Sequence, residues 1–134
     1  MRYIELDTPA LLIDRERLTK NLKDMQSYAD AHGVALRPHT KTHKCPEIAK
    51  MQLAAGACGI AVAKVGEAEA MAEAGLDDLF IANEIVGEAK LRRIAALAKR
   101  GVKLAFGVDT PCQVTAAESV FAQEGVSVPV LVEI

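Results

Sequence analysis

Val34-Ala35-Leu36-Arg37-Pro38-His39-Thr40-Lys41-Thr42-His43-Lys44 sets an apolar triplet directly against eight residues carrying five basic side chains. If residues 34–41 form a strand, its period of two puts Ala35, Arg37, His39 and Lys41 on one face and Val34, Leu36 and Pro38 on the other. The second face would pack on helices, and the first would carry charged and titratable groups into an interior. Pro38 conflicts with a regular strand, because it cannot donate to a sheet ladder and is confined to edges, bulges or ends. Local rules broken in one short stretch tend to mark function.

Working outward, residues 8–14 read as a short strand, with Asp14 placed to cap a helix over 15–31 that stops before Gly33. Downstream, Pro46 opens a helix over 45–55 that Gly56 ends. Strands are expected at 59–63, 79–82, 102–108 and 128–134, and helices at 65–74, 87–99 and 113–123, with Gly75 and Gly101 as stops. From Val34 onward five apolar strands alternate with four helices, the rhythm of a parallel α/β architecture. Rhythm alone allows a (β/α)8 barrel or a doubly wound sheet. The sequence has no GxGxxG after its first strand and no P-loop, which favours the barrel. A complete barrel takes ~250 residues. This chain has 134 and stops inside an apolar strand, so the expectation is a partial (β/α)8 barrel over 15–134, the N-terminal part of a longer one. Open sheet edges would then be covered by a second copy, giving a homodimer, or by another part of the protein.

The chain is 51% hydrophobic and 25% charged, with 4% aromatic residues and no Trp, as in globular proteins. A formal charge of −2, with its cations clustered rather than striped, argues against a nucleic-acid or membrane surface, and any anion bound would be small. No apolar run approaches the ~20 residues of a membrane span, and no secretory signal opens the chain, so a cytoplasmic location is expected. Cys45, Cys58 and Cys112 are odd in number and widely spaced, which favours reduced thiols over a disulfide framework. Cys45 borders the basic run, where cations could make a thiol nucleophilic; a packed, inert cysteine is the plainer reading.

Three segments together, Thr8-Pro9-Ala10-Leu11-Leu12-Ile13-Asp14, Arg37-Pro38-His39-Thr40-Lys41-Thr42-His43-Lys44 and Gly59-Ile60-Ala61-Val62-Ala63-Lys64-Val65-Gly66-Glu67-Ala68-Glu69, resemble the fold-type III pyridoxal-phosphate enzymes. Specifically, they look like the D-threonine aldolase and D-serine dehydratase group within the alanine-racemase-like superfamily. Ile81-Ala82-Asn83-Glu84 and Gly107-Val108-Asp109 fall where that group has similar strand ends. The resemblance is specific in the PHxKTHK run and weaker elsewhere.

The resemblance implies that Lys41 holds the cofactor covalently. The chemistry suits it, because an amine among other cations loses proton affinity and becomes a better nucleophile toward a carbonyl. Lys44 is the competitor, three residues on and of opposite strand parity; a solvated basic loop is the bland alternative. His39 could contact the pyridine ring or its oxygen substituent, or simply hydrogen-bond within the barrel. His39 and His43 flank a strand end, so together they make a poor metal pair. Arg37, deeper, would pair with a carboxylate. Asn83 and Asp109 end barrel strands and are cofactor-pocket residues by position, or helix caps. The phosphate loops, and the ligands of the divalent metal that the resemblance implies, would lie outside this chain, and residues 1–14 would be a strand of a second, β-rich domain.

The function so implied is a lyase acting on small D-amino acids, foremost a β-hydroxy-D-amino acid (D-threonine) aldolase, with a D-serine dehydratase as the alternative. A racemase fits less well, because the usual racemase segment around its lysine does not carry the His-x-Lys-x-His run seen here. Outside catalysis, a single-barrel protein of cofactor homeostasis or an interaction fragment would share the fold.

Overall fold

A computed structural model of the chain describes residues 2–134. Helix α1 (Arg15–Ala31) begins where Asp14 accepts a hydrogen bond from the Arg17 N–H at 3.0 Å. Helix α2 (Pro46–Ala55) has proline in its first turn, a position whose N–H would go unbonded anyway. Four strands follow in alternation with helices: β1 (Ile60–Val62), α3 (Val65–Glu73), β2 (Asp78–Glu84), α4 (Glu88–Lys99), β3 (Lys103–Val108), α5 (Pro111–Glu124) and β4 (Val130–Val132). Gly125, with φ 67°, ends α5 in the left-handed conformation that costs a residue without Cβ least.

The strands are parallel and lie in the order β1-β2-β3-β4. A doubly wound sheet reverses its order at a switch point. Here the order only advances, as in a barrel, and the fold is part of a (β/α)8 barrel. One face of the sheet is dry: Ile60, Val62, Leu79, Ile81, Phe106 and Val108 are buried in a common core. They pack against the helices through residues such as Met71, Leu91, Ile94 and Phe121. Phe80, Ala82 and Ala105, of opposite parity, are only half-buried on the inner face.

The expected strand over 34–41 is corrected. Only His39 makes a sheet bridge, parallel to Ala61, and residues 40–42 wind into a 3-10 turn. The reason is a one-sided ladder. Leu36 and Pro38 offer their carbonyls to the Cys58 and Ala61 N–H groups, but Pro38 has no N–H to return. Thr40 then bonds sideways, its Oγ1 donating to the Ala61 carbonyl at 3.2 Å. The described residues therefore hold four parallel strands and one bridged segment beside them, rather than five full strands. The expected strand over 8–14 has no ladder either: Leu11, Leu12 and Ile13 are exposed, and no strand is assigned there.

Register breaks once. Ile81 pairs with Phe106, but Glu84, three residues on, pairs with the next residue, Gly107. Two extra residues of β2 are thus accommodated at its C-terminal end, as in a bulge.

Candidate functional site

The two ends of the sheet differ in chemistry. At the N-terminal ends, Arg37 Nη1 lies 2.7 Å from Asp78 Oδ1 and also donates to the Asp78 carbonyl at 3.3 Å. Arg37 therefore pairs with a carboxylate, as the sequence suggested. Gly59 makes room for the pair, since a Cβ there would lie 2.1 Å from Arg37 Nη1. The 540 Å³ concavity bounded by Arg37, Asp78, Phe80, Lys103, Ala105 and Leu131 belongs to this end, away from Lys41.

The C-terminal ends gather the residues of interest. Lys41 sits in the turn that follows the His39 bridge, with its side chain exposed. Strand parity does not relate Lys41 to His39, because the turn intervenes. A direct contact does: the Lys41 N–H donates to His39 Nδ1 at 3.2 Å. Lys44 also lies past the bridged segment, so its distinction from Lys41 rests on its contacts. Lys44 Nζ approaches Glu67 at 3.8 Å, whereas Lys41 has no ion pair among the described residues.

His39 is held below its ordinary pKa by burial first and by the Lys41 charge next, opposed by the Glu67 charge and a hydrogen bond to the Ala61 backbone. It therefore favours the neutral ring. His43 turns inward, where its Nδ1 accepts from the Cys45 N–H at 3.0 Å. With Nδ1 an acceptor, the neutral ring carries its proton on Nε2. That atom and Gln52 Oε1 are both buried without a well-formed partner, yet Gln52 lies near enough to favour the protonated ring. They are complementary, donor facing acceptor. Burial dominates and lowers the His43 pKa.

A depressed histidine stabilises the fold fully above the unfolded value, near 6.5, and loses that contribution as pH falls through the lower folded value. In the full-length protein, lowering the pH from 7 to 5 should reduce the urea midpoint. His43→Gln should be less stable at pH 7 but lose less on acidification. Equal pH slopes for the two proteins would show that His43 is not a source of acid lability.

Asn83 and Asp109 both reach this rim. Asn83 Nδ2 donates to the Ala63 carbonyl at 3.2 Å, and its Oδ1 accepts from the Glu84 N–H at 3.0 Å. Neither residue caps a helix: the caps of α4 and α5 are Gly87 and Thr110. The Asp109 N–H donates to Gln113 Oε1 at 2.9 Å, and the Asp109 side chain is exposed.

Three carboxylates at this rim escaped the sequence reading. Glu67, buried, accepts from the Ala63 N–H at 2.7 Å. Its signal was present in Lys64-Val65-Gly66-Glu67, an acidic residue three places after a helix cap. Glu84 and Glu133 carry no such local mark. The Glu133 carboxyl is held above the usual carboxylate range, chiefly by a hydrogen bond with Glu84 and by that neighbour's charge, then by burial and Asp109. Gly107 permits the approach, since a Cβ there would lie 2.7 Å from Glu133 Oε1.

An exposed primary amine on a pinned turn, beside a largely neutral imidazole, suits covalent capture of an aldehyde cofactor such as pyridoxal phosphate. Among the described residues no group of three or more His, Cys, Asp or Glu could hold a metal. Cys45 is half-buried, and Cys58 and Cys112 are exposed; all three are free thiols. No helix among the described residues is long and apolar enough to cross a membrane.

Comparison with known proteins places this rim in context. The family model for the alanine racemase N-terminal domain matches residues 13–134. A D-threonine aldolase of Arthrobacter sp is 46% identical over 96% of this chain and 34% of its own length. A D-threo-3-hydroxyaspartate dehydratase of Delftia sp. (strain HT23) is 38% identical over 98% of this chain and 34% of its own. The crystal structure of D-threonine aldolase from Filomicrobium marinum superposes with a TM-score of 0.92 at 43% identity, over 96% of this chain and 34% of that one. The chain thus spans about a third of the length of the curated relatives it matches.

Proposed function

This chain belongs to the alanine racemase N-terminal domain family, and from that premise we propose that it forms the cofactor-bearing part of a pyridoxal-phosphate-dependent lyase. Its substrates are small β-hydroxy-D-amino acids, with D-threonine aldol cleavage the leading activity. The observation that carries the proposal is the place of Lys41, an exposed amine on a turn tied to β1 at the C-terminal end of a parallel sheet. Barrel enzymes assemble their chemistry at that end.

Lys41 holds the cofactor, with His39, Asn83 and Asp109 lining its surroundings. When bound, the cofactor supplies an electron sink for the pair left at Cα as the Cα–Cβ bond breaks, so that glycine and an aldehyde are released. Lys41 Nζ would hold the cofactor's aldehyde carbon and, when unattached, could carry a proton. His39, favouring its neutral form, accepts from the Lys41 N–H and so orients the turn. Dehydration with release of ammonia is the second reading, favoured by the 38% identity to the Delftia dehydratase.

A divalent metal enters as the family resemblance implies, held by residues outside this chain. Leu11, 96% exposed, and Leu12 and Ile13 beside it form an apolar strip that a second, β-rich domain of the full protein would cover. The open inner face is covered by the remaining barrel strands, and the assembled enzyme is a homodimer.

The full-length protein, given D-threonine, should release glycine and acetaldehyde at least about a hundredfold faster than from L-threonine, and excess EDTA should slow it. Ammonia without glycine would move the assignment to the dehydratase. Equal turnover of both enantiomers would remove the proposal.

A further inference from the structure

We infer that Glu67 is a positioning residue for Lys41: its buried carboxylate clamps the Lys41-bearing turn to the end of β1, one oxygen on the Ala63 N–H and the other toward the Lys44 ammonium. The inference rests on the reading of Lys41 given above.

A carboxylate only 8% exposed is costly to hold charged unless its oxygens are matched. Glu67 divides its two oxygens. Oε2 accepts from the Ala63 N–H at 2.7 Å, and Oε1 faces Lys44 Nζ at 3.8 Å. Ala63 follows β1 directly, and its carbonyl takes the Asn83 amide, so this one residue joins α3, β1 and the rim of β2. On the other side, Lys44 has a φ of 50°. A lysine in the left-handed region is strained and persists only where its surroundings fix it. Here its N–H closes the turn on the Thr40 carbonyl at 2.8 Å while its ammonium points to Glu67. Lys41 therefore lies between two anchors: Thr40, buried and bonded to the Ala61 carbonyl, and Lys44, tied to α3. The same carboxylate is the negative charge that favours protonation of His39, against burial and Lys41.

The test uses the full-length protein. Glu67→Gln keeps an oxygen for the Ala63 N–H and removes the charge. It should lower kcat about tenfold with little change in KM, the signature of a displaced reacting group. In the cofactor-free protein the His39 ring, followed by proton NMR, should titrate at lower pH in this variant. Glu69→Gln, on the same helix but paired with Arg93, should leave both readouts unchanged. Lys44→Met, at an exposed side chain, should reproduce part of the kcat loss, and adding it to Glu67→Gln should cost little more. Should Glu67→Gln fail to fold, wild-type kcat in Lys44→Met overturns the clamp. Wild-type kcat and an unmoved His39 titration in Glu67→Gln do the same. Borohydride label on Lys44 instead of Lys41 would sink both this inference and the functional reading. Wild-type kcat in Glu67→Gln with Lys41 labelled sinks this one alone, whatever the His39 titration does.

Discussion

Lys41→Ala in the full-length protein should reduce aldol cleavage by on the order of 10³-fold or more, because no other side chain takes over covalent attachment. Lys41→Arg should be equally inactive: it preserves the charge but offers no amine that can be deprotonated at working pH. Lys44→Ala should lose no more than the partial effect expected of Lys44→Met, since Lys44 acts through Glu67 and not as the attachment point. Borohydride reduction of the loaded protein followed by peptide mapping should mark Lys41 and leave Lys44 free. Turnover within tenfold of wild type in Lys41→Ala would mean that the chemistry lies elsewhere.

Phe106→Ala should be the most destabilising truncation on the helix-facing side of the sheet, costing about 3–5 kcal/mol. Phe106 is fully buried in the middle of β3, and its ring meets that of Phe121 edge-on, with centroids 6.1 Å apart and planes at 82°. The cavity left would be walled by β-branched and aliphatic residues of two strands and by α5, which have little freedom to collapse. Urea unfolding of the full-length variant is the measurement. A loss below about 1 kcal/mol would show that the ring is not a keystone of the core.

Helices and helix-facing strand residues were legible in the sequence because they obey strong, local rules. Asp14 caps α1 and the helix runs over residues 15–31 as expected; Pro46 and Gly56 bracket α2. The strands expected over 79–82 and 102–108 fall within β2 and β3, because short apolar runs between glycine-ended helices leave little choice of element. The first barrel segment was misread, and Pro38 was the warning: an apolar run resembles a strand, but pairing also requires donors on both sides. The stretch over 8–14 has no ladder among the described residues, for a strand needs a partner, and in the function proposed above that partner is the second domain. Around the rim, Lys41, His39, Asn83 and Asp109 could be named from motif and strand ends. Glu84 and Glu133 could not, because 49 residues separate them and only the sheet's order brings the ends of β2 and β4 near the same glycine.

The slack at the end of β2 bears on how such a scaffold could be retargeted. Because two extra residues are absorbed between Ile81 and Glu84, adjacent side chains look in opposite directions: Asn83 toward β1 through the Ala63 carbonyl, Glu84 toward β4 through Glu133. A single dipeptide thus addresses both flanks of the mouth without disturbing the buried register behind it. In directed evolution, a library confined to these two codons would vary both flanks of the rim at once while leaving the pairing of Ile81 with Phe106 untouched.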